Sequence, residues 1–209
     1  SALVHLQRYE EAVQSYNQAI AQDPRDASTW YNRAGALSEL QRYVEAVDSY
    51  DQALALEPED AAAWINRADA LYGLKRYLEA SDSYDKALSL DPNNASAWNN
   101  RGNTFFTLKS YQKAVESYDR ALIIDAGNAG AWHNRGNALA RMEQYQKAVE
   151  SYDRALAVQP DNASTWCSRA NALYIMRRDR EAADSYDEAL GLEPSLAAAW
   201  NNRGNALMQ

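Results

Sequence analysis

The side chains of this sequence that could bind something recur at fixed places. Asn32, Asn66, Asn100, Asn134 and Asn202 each stand two residues after a Trp, with Ser168 interrupting the row. Asn103, Asn137, Asn171 and Asn205 stand five residues after a Trp, with Gly35 and Asp69 in the first two copies. A carboxamide carries a carbonyl acceptor and two N–H donors. A series of them can therefore pair with the C=O and N–H groups of an extended chain without reading its side chains. Helices stacked about 8–10 Å apart meet a chain advancing about 3.3 Å per residue at roughly every third residue. Each such contact contributes about 0.5–1.5 kcal/mol. The same amides serve equally well to bond neighbouring helices to one another, and the sequence leaves both readings open.

The tryptophans that set this count are Trp30, Trp64, Trp98, Trp132, Trp166 and Trp200, spaced 34 residues apart. Seven residues after each comes Leu37, Leu71, Phe105, Leu139, Leu173 or Leu207. A second block holds Ala46, Ala80, Ala114, Ala148 and Ala182, followed four residues on by Tyr50, Tyr84, Tyr118, Tyr152 and Tyr186 and then by another Ala. Offsets of four and three residues mark one face of a helix, so each period predicts two amphipathic helices. A turn is expected near Gln41-Arg42 and its equivalents. Pro24, Pro58, Pro92, Pro160 and Pro194 close the second helix, and Asp26, Asp60, Asn94, Asn128 and Asn162 are placed to cap the next.

This pattern of Trp, small residue, Leu, Ala, Tyr, Ala and Pro at fixed offsets resembles the tetratricopeptide repeat, whose period is about 34 residues. The resemblance covers the whole chain and implies an all-α fold, a right-handed superhelical α-solenoid of helix-turn-helix repeats. By register, full repeats run 27–60, 61–94, 95–128, 129–162 and 163–196. They are flanked by an incomplete repeat, 1–26, holding the end of a first helix and a second helix, and by 197–209, a first helix alone. One continuous solenoid domain, part of a longer chain, is the expectation. Three departures stand out. Ala126 replaces a Pro, Asp179 replaces the Tyr of Tyr43, Tyr77, Tyr111 and Tyr145, and Arg follows every Trp by three residues where the family usually has an apolar side chain.

Those arginines, Arg33, Arg67, Arg101, Arg135, Arg169 and Arg203, lie at the edge of the apolar side, where a bare charge is costly. Asp51, Asp85, Asp119, Asp153 and Asp187 recur with the same period and are their expected partners, in the same or the preceding helix pair. Asp48, Asp82, Glu116, Glu150 and Asp184 should give a negative outer face.

In the family, the face of the first helix opposite the Trp lines a groove that takes extended peptides or partner helices. Here it carries the two Asn rows, similar to the asparagine ladder in the repeat domain of the O-linked N-acetylglucosamine transferases. That resemblance implies a protein-interaction scaffold holding an extended partner segment. Two alternatives are the substrate-recruiting region of a larger enzyme such as a glycosyltransferase, and a scaffold that associates head to tail through its open ends. Tyr31, Tyr72, Phe106, His133, Arg141, Tyr174 and Ile175, where the copies differ, would supply side-chain selectivity. The family's Lys and Arg cluster for a terminal carboxylate is missing, so binding should not depend on a free C-terminus.

A net charge of −8 speaks against nucleic acid, including the single-stranded RNA read by related helical hairpins. No apolar run reaches the roughly 18 residues of a membrane span. The single Cys167 suits a reducing compartment and points to the cytoplasm. His5 and His133 lack companions at ligand spacing, so neither a metal nor a cofactor is expected, and nothing has the arrangement of an enzyme active site.

Overall fold

The computed structural model describes the backbone of residues 2–208 and the side chains of residues 8–208. Ser1 and Gln209, the outer limits expected for the incomplete repeats, and the side chain of His5 lie outside the described residues. Among the described residues there are twelve helices and no strand. The chain divides into two compact units, Ser1–Ala97 and Trp98–Gln209. In a repeat stack each hairpin touches only its neighbours, so few contacts cross any one cut.

The first unit holds α1 (Ala2–Gln22), α2 (Ala27–Glu39), α3 (Tyr43–Leu56), α4 (Ala61–Gly73), α5 (Tyr77–Leu90) and the start of α6 (Ala95–Thr107). The second holds the rest of α6, then α7 (Tyr111–Ile124), α8 (Ala129–Arg141), α9 (Tyr145–Val158), α10 (Ala163–Ile175), α11 (Asp179–Leu192) and α12 (Ala197–Leu207). Within the first unit α1 packs on α2, α2 on α3, α3 on α4 and α4 on α5; α7 to α12 follow the same order. Tyr50, Tyr84, Tyr118, Tyr152 and Tyr186 form the buried centre of each hairpin, against fully buried Ala46, Ala80, Ala114, Ala148 and Ala182.

Local chemistry sets the helix ends. Asp60, Asn94, Asn128 and Asn162 each accept the backbone N–H three residues on, at 2.9–3.0 Å, and Asp26 accepts that of Ser28. Such caps contribute about 1 kcal/mol each. Leu196 gives α12 no side-chain cap. The first helix of each pair ends with a residue of positive φ: Gln41, Lys75, Lys109, Glu143 and Arg177, at 58–62°. After α2, Gln41 N–H reaches Ser38 O and Arg42 N–H reaches Leu37 O, both at 2.9 Å, a closed Schellman turn made without glycine.

Two departures from the family pattern are absorbed. Asp125, before Ala126, keeps the backbone of its proline-preceding counterparts (φ −132°, ψ 88°, against −131° and 86° at Gln159). Trp132 Nε1 still donates to Ala126 O at 3.0 Å, as Trp166 does to Pro160 O at 2.9 Å. Asp179 opens α11 as Tyr145 opens α9, but its Oδ1 is buried without a hydrogen-bond partner.

One expectation is corrected. Residues 1–26 do not hold the end of one helix followed by another, because α1 is a single helix of 21 residues running through the point one period before Gln41-Arg42. Propagating a helix already formed costs less than nucleating a separate one, and the continuous α1 satisfies its backbone through that point.

Candidate functional site

The Arg three residues after Trp30, Trp64, Trp132 and Trp166 ties three helices together. Arg67, Arg135 and Arg169 place Nε at 2.6 Å from Asp51, Asp119 and Asp153, and Arg203 pairs with Asp187, in every case in the preceding helix pair. Arg33 meets Asn17 Oδ1 at 2.7 Å in the same way. Nη1 of Arg67, Arg101, Arg135 and Arg169 reaches into its own pair, to Ser83, Ser117, Ser151 and Ser185 respectively, at 2.5–2.7 Å, and Arg33 likewise contacts Ser49. The guanidinium groups lie 5.4–5.9 Å from the preceding Trp rings. The arginines are therefore spent on the stack. The serines were missed in the sequence, although they recur with the period one residue before each buried Tyr.

The Asn rows prove to be cross-linked. Tyr118, Tyr152 and Tyr186 donate their hydroxyls to Oδ1 of Asn103, Asn137 and Asn171 at 2.8, 2.9 and 2.5 Å. Nδ2 of Asn134 and Asn202, in the following pair, donates to Oδ1 of Asn103 and Asn171 at 3.1 and 3.3 Å. The carbonyls of the inner Asn103 and Asn171 are thus taken twice while their NH2 groups stay unengaged, the outer Asn134 and Asn202 keep their own carbonyl and one N–H, and Asn137 instead spends its NH2 on His133. Where Gly35 removes the inner acceptor, Asn66 turns to Tyr31 Oη at 2.8 Å, and at Asp69 the Tyr84 hydroxyl meets a carboxylate. Asn32 is exposed on α2, Asn100 lies half-buried on α6, and Asn205 lies half-buried on α12.

The selectivity candidates sit beside these rows. Tyr31 packs edge-on against Tyr50 at 5.9 Å, Tyr72 against Tyr77 at 5.2 Å and Phe106 against Tyr111 at 5.4 Å. Tyr174 rests on the core of the second unit. His133 lies 5.9 Å from the Tyr152 ring. Its Nδ1 is 2.9 Å from Thr165 Oγ1 and its Nε2 is 2.9 Å from Asn137 Nδ2. Since an amide nitrogen only donates, Nε2 is the acceptor and Nδ1 carries the proton. Burial holds its pKa below the usual imidazole value. Burial also pushes Tyr50 and Tyr186 up to about 12, and raises the Cys167 thiol, which is not poised as a nucleophile. Among the described residues no group of three His, Cys, Asp or Glu is placed to hold a metal ion. No described helix is long and apolar enough to cross a membrane.

Two hollows open at equivalent places, three periods apart. One, of about 370 Å3, lies between α2, α3 and α4 and is lined by Gly35, Ser38, Glu39, Tyr43, Tyr50, Asn66, Asp69 and Ala70. The other, of about 450 Å3, lies between α8, α9 and α10. In the same order its residues are Asn137, Ala140, Arg141, Tyr145, Tyr152, Ser168, Asn171 and Ala172, with Phe106 and Ile175 added. Their charge is opposite, with Arg141 in the second and Glu39 and Asp69 in the first.

Comparison with known proteins agrees with this architecture. Tetratricopeptide repeat models match residues 36–95, 67–129 and 129–162, and a TPR repeat model matches residues 1–41. No curated protein matches the sequence. Among solved structures, YrrB, described as a TPR protein with an unusual peptide-binding site, is 21% identical with a TM-score of 0.80, over 92% of this chain and 99% of its own. MamA residues 41 to the end, from Desulfovibrio magneticus RS-1, is 22% identical with a TM-score of 0.77, over 82% and 97%. With the family models together spanning residues 1 to 162, the chain belongs to the tetratricopeptide repeat family.

Proposed function

We propose that this protein is an interaction scaffold that captures an extended segment of a partner protein along the Asn-bearing first helices. The observation that carries this is the division of labour within each amide pair. Asn103 and Asn171 spend Oδ1 on the core, while Asn134 and Asn202 spend one N–H. NH2 donors and carbonyl acceptors are left side by side, as recognition of a backbone requires. The asparagine ladder of the O-linked N-acetylglucosamine transferases offers the same chemistry, and YrrB, of the same fold, is described as having a peptide-binding site. Recruiting a substrate to an enzyme is one use of such capture.

The test is a tiled peptide array probed with the wild type and with Asn134→Ala/Asn202→Ala. These substitutions remove two outer amides and leave the Tyr hydroxyl bonds in place. Loss of binding across unrelated peptides, with the thermal midpoint nearly unchanged, is the expected result. Undiminished binding would assign the amides to the stack alone.

A second reading, head-to-tail self-association, has its own observation. Leu207 is 59% exposed, whereas Leu37, Leu71 and Leu173 are completely buried, and Trp200 beside it is 51% exposed. Sedimentation over a range of concentrations decides it, since a monomer at every concentration removes the idea.

A further inference from the structure

We propose that the socket between α8, α9 and α10 seats an apolar side chain of the partner segment and that Arg141 pairs with an acidic residue next to it. This rests on the peptide-capture reading and names the side chains that such a segment carries. Three observations converge on it. The hollow, about 450 Å3, falls in the size range of ligand clefts. Its walls are more apolar than those of its counterpart, although Asn137, Ser168 and Asn171 also line it: Ala140 stands for Ser38, and Phe106 and Ile175 are added. Ile175 is 53% exposed at its mouth, an apolar surface that contact with a ligand would remove from water.

The charge at the rim selects the neighbour. Nine residues after successive Trp residues come Glu39, Gly73, Thr107, Arg141 and Ile175, so a single cation occupies this place in a chain of net charge −8. Arg141 is exposed and pairs with no carboxylate among the described residues. In the equivalent socket of the first unit, Glu39 and Asp69 stand where Arg141 and Asn171 stand here. An Asp or Glu beside the seated side chain is therefore attracted at the second socket and repelled at the first. Arg141 does not contribute to the core, so its charge can be reversed without disturbing the helices.

The experiment uses short acetylated and amidated Gly/Ser peptides carrying Asp-Leu, Lys-Leu or Asp-Ser at the centre, titrated into the 209-residue protein and followed by backbone amide NMR. Asp-Leu should shift signals of α8 to α10. It should bind about threefold tighter than Lys-Leu, the scale of an exposed ion pair, and about tenfold tighter than Asp-Ser, the scale of one buried apolar side chain. Arg141→Glu should reverse the order of Asp-Leu and Lys-Leu with the circular dichroism unchanged. Equal binding of all three peptides, with shifts along the Asn rows, overturns the socket and leaves peptide capture standing. Shifts confined to other helices also overturn the socket. Absence of binding by every peptide removes both.

Discussion

Repeats 27–60 and 129–162 have the same pair of helices, the same Trp stacked under an Arg and the same buried Tyr, and they differ in what that Tyr can reach. In the second, Tyr152 donates to Asn137, which donates in turn to His133, which meets Thr165 at the next first helix. In the first, Gly35 stands at the place of Asn137, Tyr31 at that of His133, and the outer amide of Asn66 bonds Tyr31 instead. The helices are fixed by residues four and seven after the Trp, which both repeats share in kind. Residues one and five after it decide whether the core is connected by hydrogen bonds to the surface where a ligand would lie. The fold and that surface are thus specified by different positions of one helix.

The Arg link offers the largest test of this division. Arg135 is held by a carboxylate, Asp119, at 2.6 Å, whereas Arg33 is held by the neutral Asn17 at 2.7 Å. Both also donate to a buried Ser of their own pair. The bonds to Asp119 and Asn17 both engage a charged guanidinium, worth about 1.5–3 kcal/mol, and Arg135 adds an ion pair with a half-exposed carboxylate, worth about 0.2–1 kcal/mol. Arg135→Ala should therefore lower the urea unfolding free energy by about 2–3 kcal/mol, the half-exposed Asp119 carboxylate being partly screened by water. Arg33→Ala should cost roughly 0.5 kcal/mol less, the share of the exposed ion pair. Equal losses would show that packing of the Arg stem on the Trp, common to both, sets the cost.

Next in size is an attempt to convert one repeat into the other. A Cβ at Gly35 meets nothing within 4 Å, so Gly35→Asn introduces no clash. It gives Tyr50 the acceptor that Tyr118, Tyr152 and Tyr186 already have, and it removes a glycine from a helix interior. Together these should stabilise the protein by about 1 kcal/mol. Asn66 should move from Tyr31 to the new carbonyl, a shift visible in its side-chain amide resonances. If stability is unchanged and Asn66 stays on Tyr31, the register of the amide pairs depends on more than the residue five after the Trp.

The helices, their caps and the Arg–Asp pairs were legible because each follows from a pattern along one dimension. Trp, Leu and Tyr at helical spacing define a face, and a cap lies next to the helix it ends. The cross-links between Asn rows were not. Whether Asn103 bonds a ligand or Asn134 depends on how far the next pair advances, and spacing within one helix does not contain that distance. Ser49, Ser83, Ser117, Ser151 and Ser185 were overlooked for a related reason. A small residue beside a buried Tyr reads as filler until an Arg from the first helix of the same pair is seen to arrive at it. The unbroken α1 escaped because a periodic sequence implies a turn that only a packed neighbour can stabilise.

The smallest expected effect is one of pH, and it belongs to repeat 129–162 alone because Tyr31 replaces the histidine in repeat 27–60. Burial holds the folded pKa of His133 below its unfolded value near 6.5. The unfolded chain therefore binds the proton more readily, and the contribution of the neutral imidazole is fully present above that unfolded value and is lost as pH falls toward the folded one. The geometry supplies the cost. A protonated Nε2 must donate, yet it faces Asn137 Nδ2, which also donates. Relief requires the Asn137 amide to turn, and turning takes Oδ1 away from Tyr152. Unfolding by urea at pH 7.5 and at pH 5 should thus show a larger loss for the wild type than for His133→Gln, whose side chain keeps an acceptor at either pH. The Tyr152 ring signals should move with the same transition. An identical loss in both proteins would assign the acid sensitivity to the carboxylates of the outer face and leave the His133 to Tyr152 chain as a link that does not titrate.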